Sequence, residues 1–349
     1  MSQDATVSAT PPCYQLHILG SRLQYLRSDE FTSSAARNGA KLNTGHPDRS
    51  LAPLSRLGWI DAGRHLLAGL KLAVEEVNNA GGVSGKPLEL LVRDTAADAT
   101  KAAAAVDELA GLGVVALAGE YHSVVARAVA ARADAIGLPY LCSSAVLDQL
   151  TEQPTNWVAR LAPRKATVGA MCDELTRGEN RATAVLLLVS QSSTASEIVE
   201  AVSGDERLTG TFMGAPAGQP ELADWAMAFG KHDGTATPFL RYMPESLGHR
   251  GARVEAALRE KLTEAPSFVA FEGYDTILVL AELLRTHGTD RTDNPPAWSD
   301  IAVDGSRGHI SFSRIPGISV WQWAWPPSRL SIGILRSPTA SGPCIWLKR

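Results

Sequence analysis

From residue 61 onward the chain changes from an irregular polar stretch to one with clear periods. Leu66, Leu70, Ala73, Val74 and Val77 recur at steps of three and four, which puts them on one face of a helix. Asn78-Asn79-Ala80-Gly81-Gly82 then supplies the glycines that a left-handed helix end wants. Residues 88–92 are a short, mostly apolar run closed by Arg93-Asp94, and they read as a strand. Asp98 is placed to N-cap an Ala-rich helix that reaches Ala110. Residues 114–118 form a further apolar run. Ser123 opens a helix with Val124, Val125, Ala128, Ala131 and Ala135 on one side, and residues 138–141 and 157–161 are again strand-like. Short apolar runs alternating with amphipathic helices predict βαβ units, hence an α/β fold with a parallel sheet covered on both faces.

The second half is less regular. Residues 184–189 read as a buried strand and 194–202 as its helix, while 216–220 form a Pro/Gly loop. Residues 251–262 and 269–284 have strong helical periods, 287–297 form a polar linker, and 310–312 and 320–325 read as closing strands. Residues 1–50 are rich in Ser, Asn, Gly and Arg and keep neither period. They are expected to be a flexible tail, as are residues 331–349. No basic stretch followed by an apolar run and a small-residue cleavage site occurs there, so the literal expectation is a cytoplasmic chain.

Composition narrows the chemistry. A length of 349 residues suggests two lobes, and a net charge of −4 gives no electrostatic case for nucleic acid. The longest apolar run, 184–189, is far too short for a membrane span. Cys13, Cys142, Cys172 and Cys344 are spaced as neither a metal knuckle nor a disulfide framework, and the eight His show no ligand spacing. No metal or cofactor is expected.

Most motifs fail on mechanics. Ala80-Gly81-Gly82-Val83-Ser84-Gly85-Lys86-Pro87 resembles a phosphate loop, but Pro87 stands where the magnesium-binding hydroxyl belongs, and the segment follows a helix. Gly111-Leu112-Gly113-Val114-Val115-Ala116 fits a dinucleotide fingerprint by letter. It runs from helix to strand, the reverse of the required order. No nucleophile elbow or paired base is visible, so no catalytic residue is expected. Trp321, Trp323 and Trp325 alternate on one strand face, where they could stack a flat ligand or simply be buried.

A geometric argument about anions survives. Ligands of open parallel sheets bind beyond the carboxyl ends of the strands, where helix N-termini point. Two such turns carry hydroxyls here: Gly119-Glu120-Tyr121-His122-Ser123, with Ser123 as N-cap, and Cys142-Ser143-Ser144-Ala145-Val146. Free N–H groups and a serine hydroxyl suit a small carboxylate, although serine also caps helices with no ligand at all. His122, at the end of its strand, is a further candidate contact.

The run from Ala68 to Leu88, with Leu70-Lys71-Leu72-Ala73-Val74-Glu75-Glu76-Val77-Asn78-Asn79-Ala80-Gly81-Gly82-Val83 at its centre, resembles the leucine/branched-chain amino-acid-binding family. These are type I periplasmic binding proteins, the solute receptors of ABC importers. Arg93-Asp94-Thr95, Ala118-Gly119-Glu120 with Ser123, Gly137-Leu138-Pro139-Tyr140, Ser144-Ala145, Tyr274-Asp275 and Gly308-His309-Ile310-Ser311-Phe312 continue the likeness, which covers about residues 52–325.

The resemblance implies two Rossmann-like lobes with parallel sheets: residues 51–162 and 266–314 in lobe 1, and 163–265 and 315–330 in lobe 2. The second lobe is expected to be shortened by about 30 residues, one βα unit. A carboxylate-bearing, amino-acid-like ligand would lie between the lobes, and an ABC permease would be the partner, which places the chain outside the cytoplasm. Position by position, the resemblance puts Ser123 on the ligand carboxylate and Ser144, beside Ser143, in the second anion turn. It puts Trp59 after the first strand and Glu221 as the nearest acidic group for an ammonium. Val146 stands where the family has a hydroxyl. An intracellular ligand-sensing module on the same fold is the alternative, and an enzyme on such a scaffold the third.

Overall fold

The computed structural model describes residues 14–20, 54–150, 155–163, 184–187, 204, 206, 211–214, 237–241, 243–244, 246–288, 294–315, 318–323 and 331–335, with backbone alone for 14–20, 54–61, 184–187, 211–214, 237–241, 315, 318–322 and 331–335. The strands are β1 (Tyr14–Gly20), β2 (Leu88–Asp94), β3 (Ala116–Gly119), β4 (Tyr140–Cys142), β5 (Val158–Arg160), β6 (Ala184–Leu187), β7 (Thr211–Gly214), β8 (Thr237–Arg241), β9 (Ala302–Gly305), β10 (Gly308–Ile315), β11 (Ile318–Trp323) and β12 (Ser331–Leu335). The described α-helices are α1 (Leu54–Asn79), α2 (Ala99–Gly111), α3 (Ser123–Ala135), α4 (His249–Leu262) and α5 (Phe268–His287). None is long and apolar enough to cross a membrane.

The larger sheet runs β2-β1-β3-β4-β5-β11-β10-β9. Strands β2, β1, β3, β4, β5 and β11 run parallel to one another, and β10 and β9 close the sheet as an antiparallel edge. Alternate residues of β3, β4 and β5 feed two cores. Ala116, Ala118, Leu141 and Ala159 pack with α1, α4 and α5, while Leu117, Tyr140, Cys142 and Val158 pack with α2 and α3. This period-two sorting is what a strand buried on both faces must show. The smaller sheet, β12-β8-β7-β6, is parallel except for β12.

Helices α1 and α5 cross backbone to backbone. A Cβ on Gly69 would lie 1.8 Å from the Ala270 carbonyl oxygen, and one on Gly273 would lie 2.3 Å from that of Leu66. Helix α4 is fixed to α1 by Lys261 on Glu75 (2.7 Å) and Arg253 on Glu76 (3.1 Å). After α1, Gly82 at φ +75° donates its N–H back to Val77 at 2.8 Å, and Asn78 clamps both backbone groups of Leu88. The false phosphate loop is therefore a helix end and a tight turn. The false dinucleotide fingerprint spans the last residue of α2 and the entry to β3.

Four expectations are corrected. Residues 14–20, placed in the flexible tail, form β1, an interior strand between β2 and β3. Residues 331–335, placed in the terminal tail, form β12 against β8. β11, assigned to lobe 2, pairs with β5 in the larger sheet. Helix α4, also assigned to lobe 2, buries Val254, Leu258 and Leu262 in the core of lobe 1. The expected helices at 167–176 and 194–202 lie outside the described residues.

Candidate functional site

The carboxyl ends of β3 and β4 lie side by side, since Gly119 pairs with Cys142. Gly119 takes φ +111°, a value that costs glycine little, and the chain turns there into Glu120-Tyr121-His122 before α3. His122 is the N-cap, with extended backbone and no capping side-chain hydrogen bond, and Ser123 is the first helical residue. The expectation of Ser123 as N-cap is corrected by one position. Helix α2 shows the contrast: there the Asp98 carboxylate accepts from Lys101 N–H at 2.9 Å, as expected.

The turn is arranged by Glu120, which is fully buried. Its Oε1 accepts from the N–H groups of Tyr121 (3.0 Å) and His122 (3.3 Å), and its Oε2 from the Thr95 hydroxyl at 3.2 Å. Burial pushes this carboxyl up to about 7, against the pull of those hydrogen bonds. Burial also draws the His122 imidazole below its usual value. Ser123 is half-buried at the head of α3, as is His122.

The second turn is built differently. The N–H groups of Ser143 and Ser144 donate to the carbonyls of Gly119 (3.1 Å) and Glu120 (3.3 Å), so they tie the two turns together. The Ser143 hydroxyl is buried against that of Thr276 at 2.8 Å, and the Thr276 hydroxyl donates to the Glu272 carbonyl at 2.7 Å. Beyond Val146 the chain makes a 3₁₀ turn of three residues, Asp148–Leu150, so the expected second helix start is replaced by a short turn. Val146 itself is half-buried. Arg160, buried in β5, holds this loop from beneath: its guanidinium donates to the carbonyls of Ala145 (2.6 Å), Leu147 (3.2 Å) and Ala162 (3.2 Å).

A buried polar network continues from there through α5 to the far edge of the sheet. Arg307 is fully buried and donates to Glu272 at 3.2 Å and Asp275 at 3.0 Å. It lies 5.1 Å from the centroid of the Trp323 ring. Asp275 also accepts from the backbone N–H and the hydroxyl of Ser306. Burial pushes Glu272 up to about 7 although Arg307 opposes it. The Ser144 hydroxyl is near enough to favour the ionised form of Glu272, without meeting hydrogen-bond geometry.

Of the expected site residues, Ser123, His122, Ser143, Ser144 and Val146 are brought to this one edge. The backbone of Trp59 lies inside α1 rather than after a strand, and its side chain, like Glu221, falls outside the described residues. Trp323 is buried, with its indole N–H on the His309 carbonyl at 3.1 Å. The sequence reading overlooked Glu120, Arg160, Glu272, Asp275 and Arg307. The common signal of Glu120, Arg160, Glu272 and Asp275 is a charge set inside or directly after an apolar run, whereas Arg307, in Asp304-Gly305-Ser306-Arg307-Gly308, carries no such signal.

Residues 52–204 match the family model described as periplasmic binding protein. A Leu/Ile/Val-binding protein homologue of Brucella abortus is 35% identical over 102 residues, which is 29% of this chain and 25% of that protein. A second homologue, from Brucella melitensis, is 31% identical over 144 residues, 41% of this chain and 35% of the relative. These alignments thus span between about a quarter and a third of the curated relatives' length. Among solved structures, the branched-chain amino-acid transporter substrate-binding protein LivJ from Streptococcus pneumoniae, in complex with isoleucine, superposes with a TM-score of 0.64 at 16% identity, covering 93% of this chain and 100% of LivJ. A solute-binding protein of Rhodopseudomonas palustris, in complex with benzoate, gives 0.61 at 14% identity, covering 93% of this chain and 92% of the other. The chain has the type I periplasmic-binding-protein fold, and its segment 52–204 carries the sequence pattern of that family.

Proposed function

We propose that this chain is the solute-binding protein of an ABC importer, that it works outside the cytoplasm, and that it takes a small carboxylate-bearing, amino-acid-like ligand against the head of α3. The observation that carries this reading is the pairing of β3 and β4, which sets the Ser123 turn and the Ser144 turn at one edge of a parallel sheet. A helix start whose N-cap residue makes no side-chain cap hydrogen bond, with a half-buried serine at its first position, is suited to a small anion. The neighbours in complex with isoleucine and with benzoate support a carboxylate ligand. With the N–H groups of Ser143 and Ser144 already used, the grip falls on Ser123, and the Val146 side chain offers shape without a hydroxyl.

No chemistry is required of such a receptor. It holds, orients and releases its ligand, and a second lobe that closes over the first provides the switch an importer reads. The test is a thermal-shift panel of branched-chain amino acids, other amino acids and benzoates, followed by calorimetry on the best compound. Ser123→Ala is expected to weaken that binding by about 1–3 kcal/mol. Unchanged affinity in a folded variant refutes the assignment of Ser123, and a panel without a single stabilising carboxylate refutes the ligand class.

A further inference from the structure

We propose that Glu120 sets the charge selectivity of the α3 head, its ionised form excluding an anionic ligand group and its neutral form admitting one. The inference rests on the proposed receptor function and adds to it a proton as a co-ligand.

The argument is geometric. The N–H groups of Tyr121 and His122 lead directly into that of Ser123 at the first turn of α3, and the Glu120 carboxylate already sits on the first two. A ligand carboxylate on Ser123 would therefore occupy the next donor along the same turn. Two ionised carboxylates on successive donors, in a site that excludes water from one of them, repel strongly. The other titratable group of the turn is the His122 imidazole, which burial draws below its usual value, and among the described residues no salt bridge to Glu120 offsets that repulsion. From β2 and its end come Asp94, which opposes ionisation, and the neutral Thr95. From β4 come Tyr140 and Cys142, both pushed up by burial. Arg160 of β5 acts on those two groups, while its hydrogen bonds go to the carbonyls of the neighbouring loop. Because Glu120 titrates at about 7, the exchange of one anion for another falls within the ordinary pH range.

The consequence is proton uptake on binding. Calorimetry with L-isoleucine and with benzoate as probes, from about pH 5.5 to 8.5, is expected to show affinity falling about tenfold per pH unit above the Glu120 titration. Titrations in two buffers of different ionisation heat should show about one proton taken up per ligand in the alkaline range and none in the acid range. Glu120→Gln keeps the shape and can keep the same N–H acceptor, so it should remove the slope and hold the acid-range affinity at alkaline pH. Wild-type affinity that is flat with pH, or binding without proton uptake, overturns the role of Glu120 while leaving the receptor reading intact. Failure of both probes to bind at acid pH, where Glu120 is neutral, overturns the inference, while the receptor reading falls only if no carboxylate of the full panel stabilises the chain. Ser123→Ala separates the two, since it should lower affinity equally at every pH.

Discussion

Arg307→Met is the perturbation for which the structure gives the fullest account. The guanidinium is fully buried and joins two carboxylates that are themselves fully buried, Glu272 and Asp275. Methionine fills much of the same volume and keeps an apolar contact with Trp323, so the loss is electrostatic rather than a cavity. Removing one partner of a buried ion pair costs about 3–5 kcal/mol, because the remaining charge has neither water nor a counter-ion. Here that charge has an escape. Asp275 retains the N–H and hydroxyl of Ser306, and Glu272 can take up a proton. The Glu272 carboxyl is raised from its ordinary 4.5 to about 7 in the folded chain. The folded state therefore holds an extra proton between those values. The associated stability is fully present below the lower one and is lost as pH rises through the upper one. Without Arg307 the folded value moves higher still. The cost of the substitution is thus expected to be about 2 kcal/mol near pH 5.5 and about 4 kcal/mol near pH 8.5. Urea unfolding followed by far-ultraviolet circular dichroism at the two pH values measures it. Adding Glu272→Gln to the variant should recover part of the alkaline loss. Equal costs at the two pH values, or a cost below about 1 kcal/mol at both, would refute the claim that Arg307 neutralises this cluster.

Two further substitutions test how the frame that carries the site is held. Gly273→Ala puts a Cβ 2.3 Å from the Leu66 carbonyl oxygen, which is backbone and cannot swing aside. The α1–α5 crossing must open, at about 1–3 kcal/mol, and a midpoint of thermal unfolding that does not fall would contradict the crossing. His65→Phe keeps the ring but removes the Nδ1 that accepts from Ser267 N–H at 3.0 Å and the Nε2 that meets Glu264 at 2.8 Å. The cost is expected to be about 1–3 kcal/mol. Faster amide exchange should be confined to the first turn of α5; unchanged exchange there would show that the ring does not cap it.

Patterns that repeat over short distances were the legible part of the sequence. The three-four spacing of Leu66, Leu70, Ala73 and Val77 is enough to mark α1, and Asp98 before an alanine run is enough to mark the start of α2, because both signals are local. β1 escaped for the opposite reason. Its partners, β2 and β3, are distant in sequence, and residues 21–53 separate it from α1, so an apolar run carrying His17 reads alone as part of a tail. β12 and β11 were misplaced likewise, since only pairing across the chain says which sheet a short strand joins. Nothing in the residues of β11 announces β5 as its neighbour.

The site was legible at its surface and illegible beneath it, and the difference has a physical basis. Serines after apolar runs are visible because a hydroxyl at a strand end is locally unusual. Whether that hydroxyl is available depends on partners that the local sequence does not name. Ser143 and Ser123 are alike in sequence context, yet Ser143 is spent on Thr276, across more than a hundred residues of chain, and Ser123 stands at a helix head whose N-cap residue makes no side-chain cap hydrogen bond. Glu120 belongs to the same problem. Placed after Ala118-Gly119, it reads as a polar residue where a strand surfaces, and only its burial and its grip on two backbone N–H groups make it part of the anion turn. A carboxylate so placed is either a flaw in an anion site or the means by which the site responds to protons. Its neighbours favour the second: Thr95 and the turn satisfy its oxygens, Arg160 is engaged on carbonyls instead of pairing with it, and its titration lies where a proton can be exchanged. A merely structural Glu120 would be replaceable by Gln with no change in how binding depends on pH.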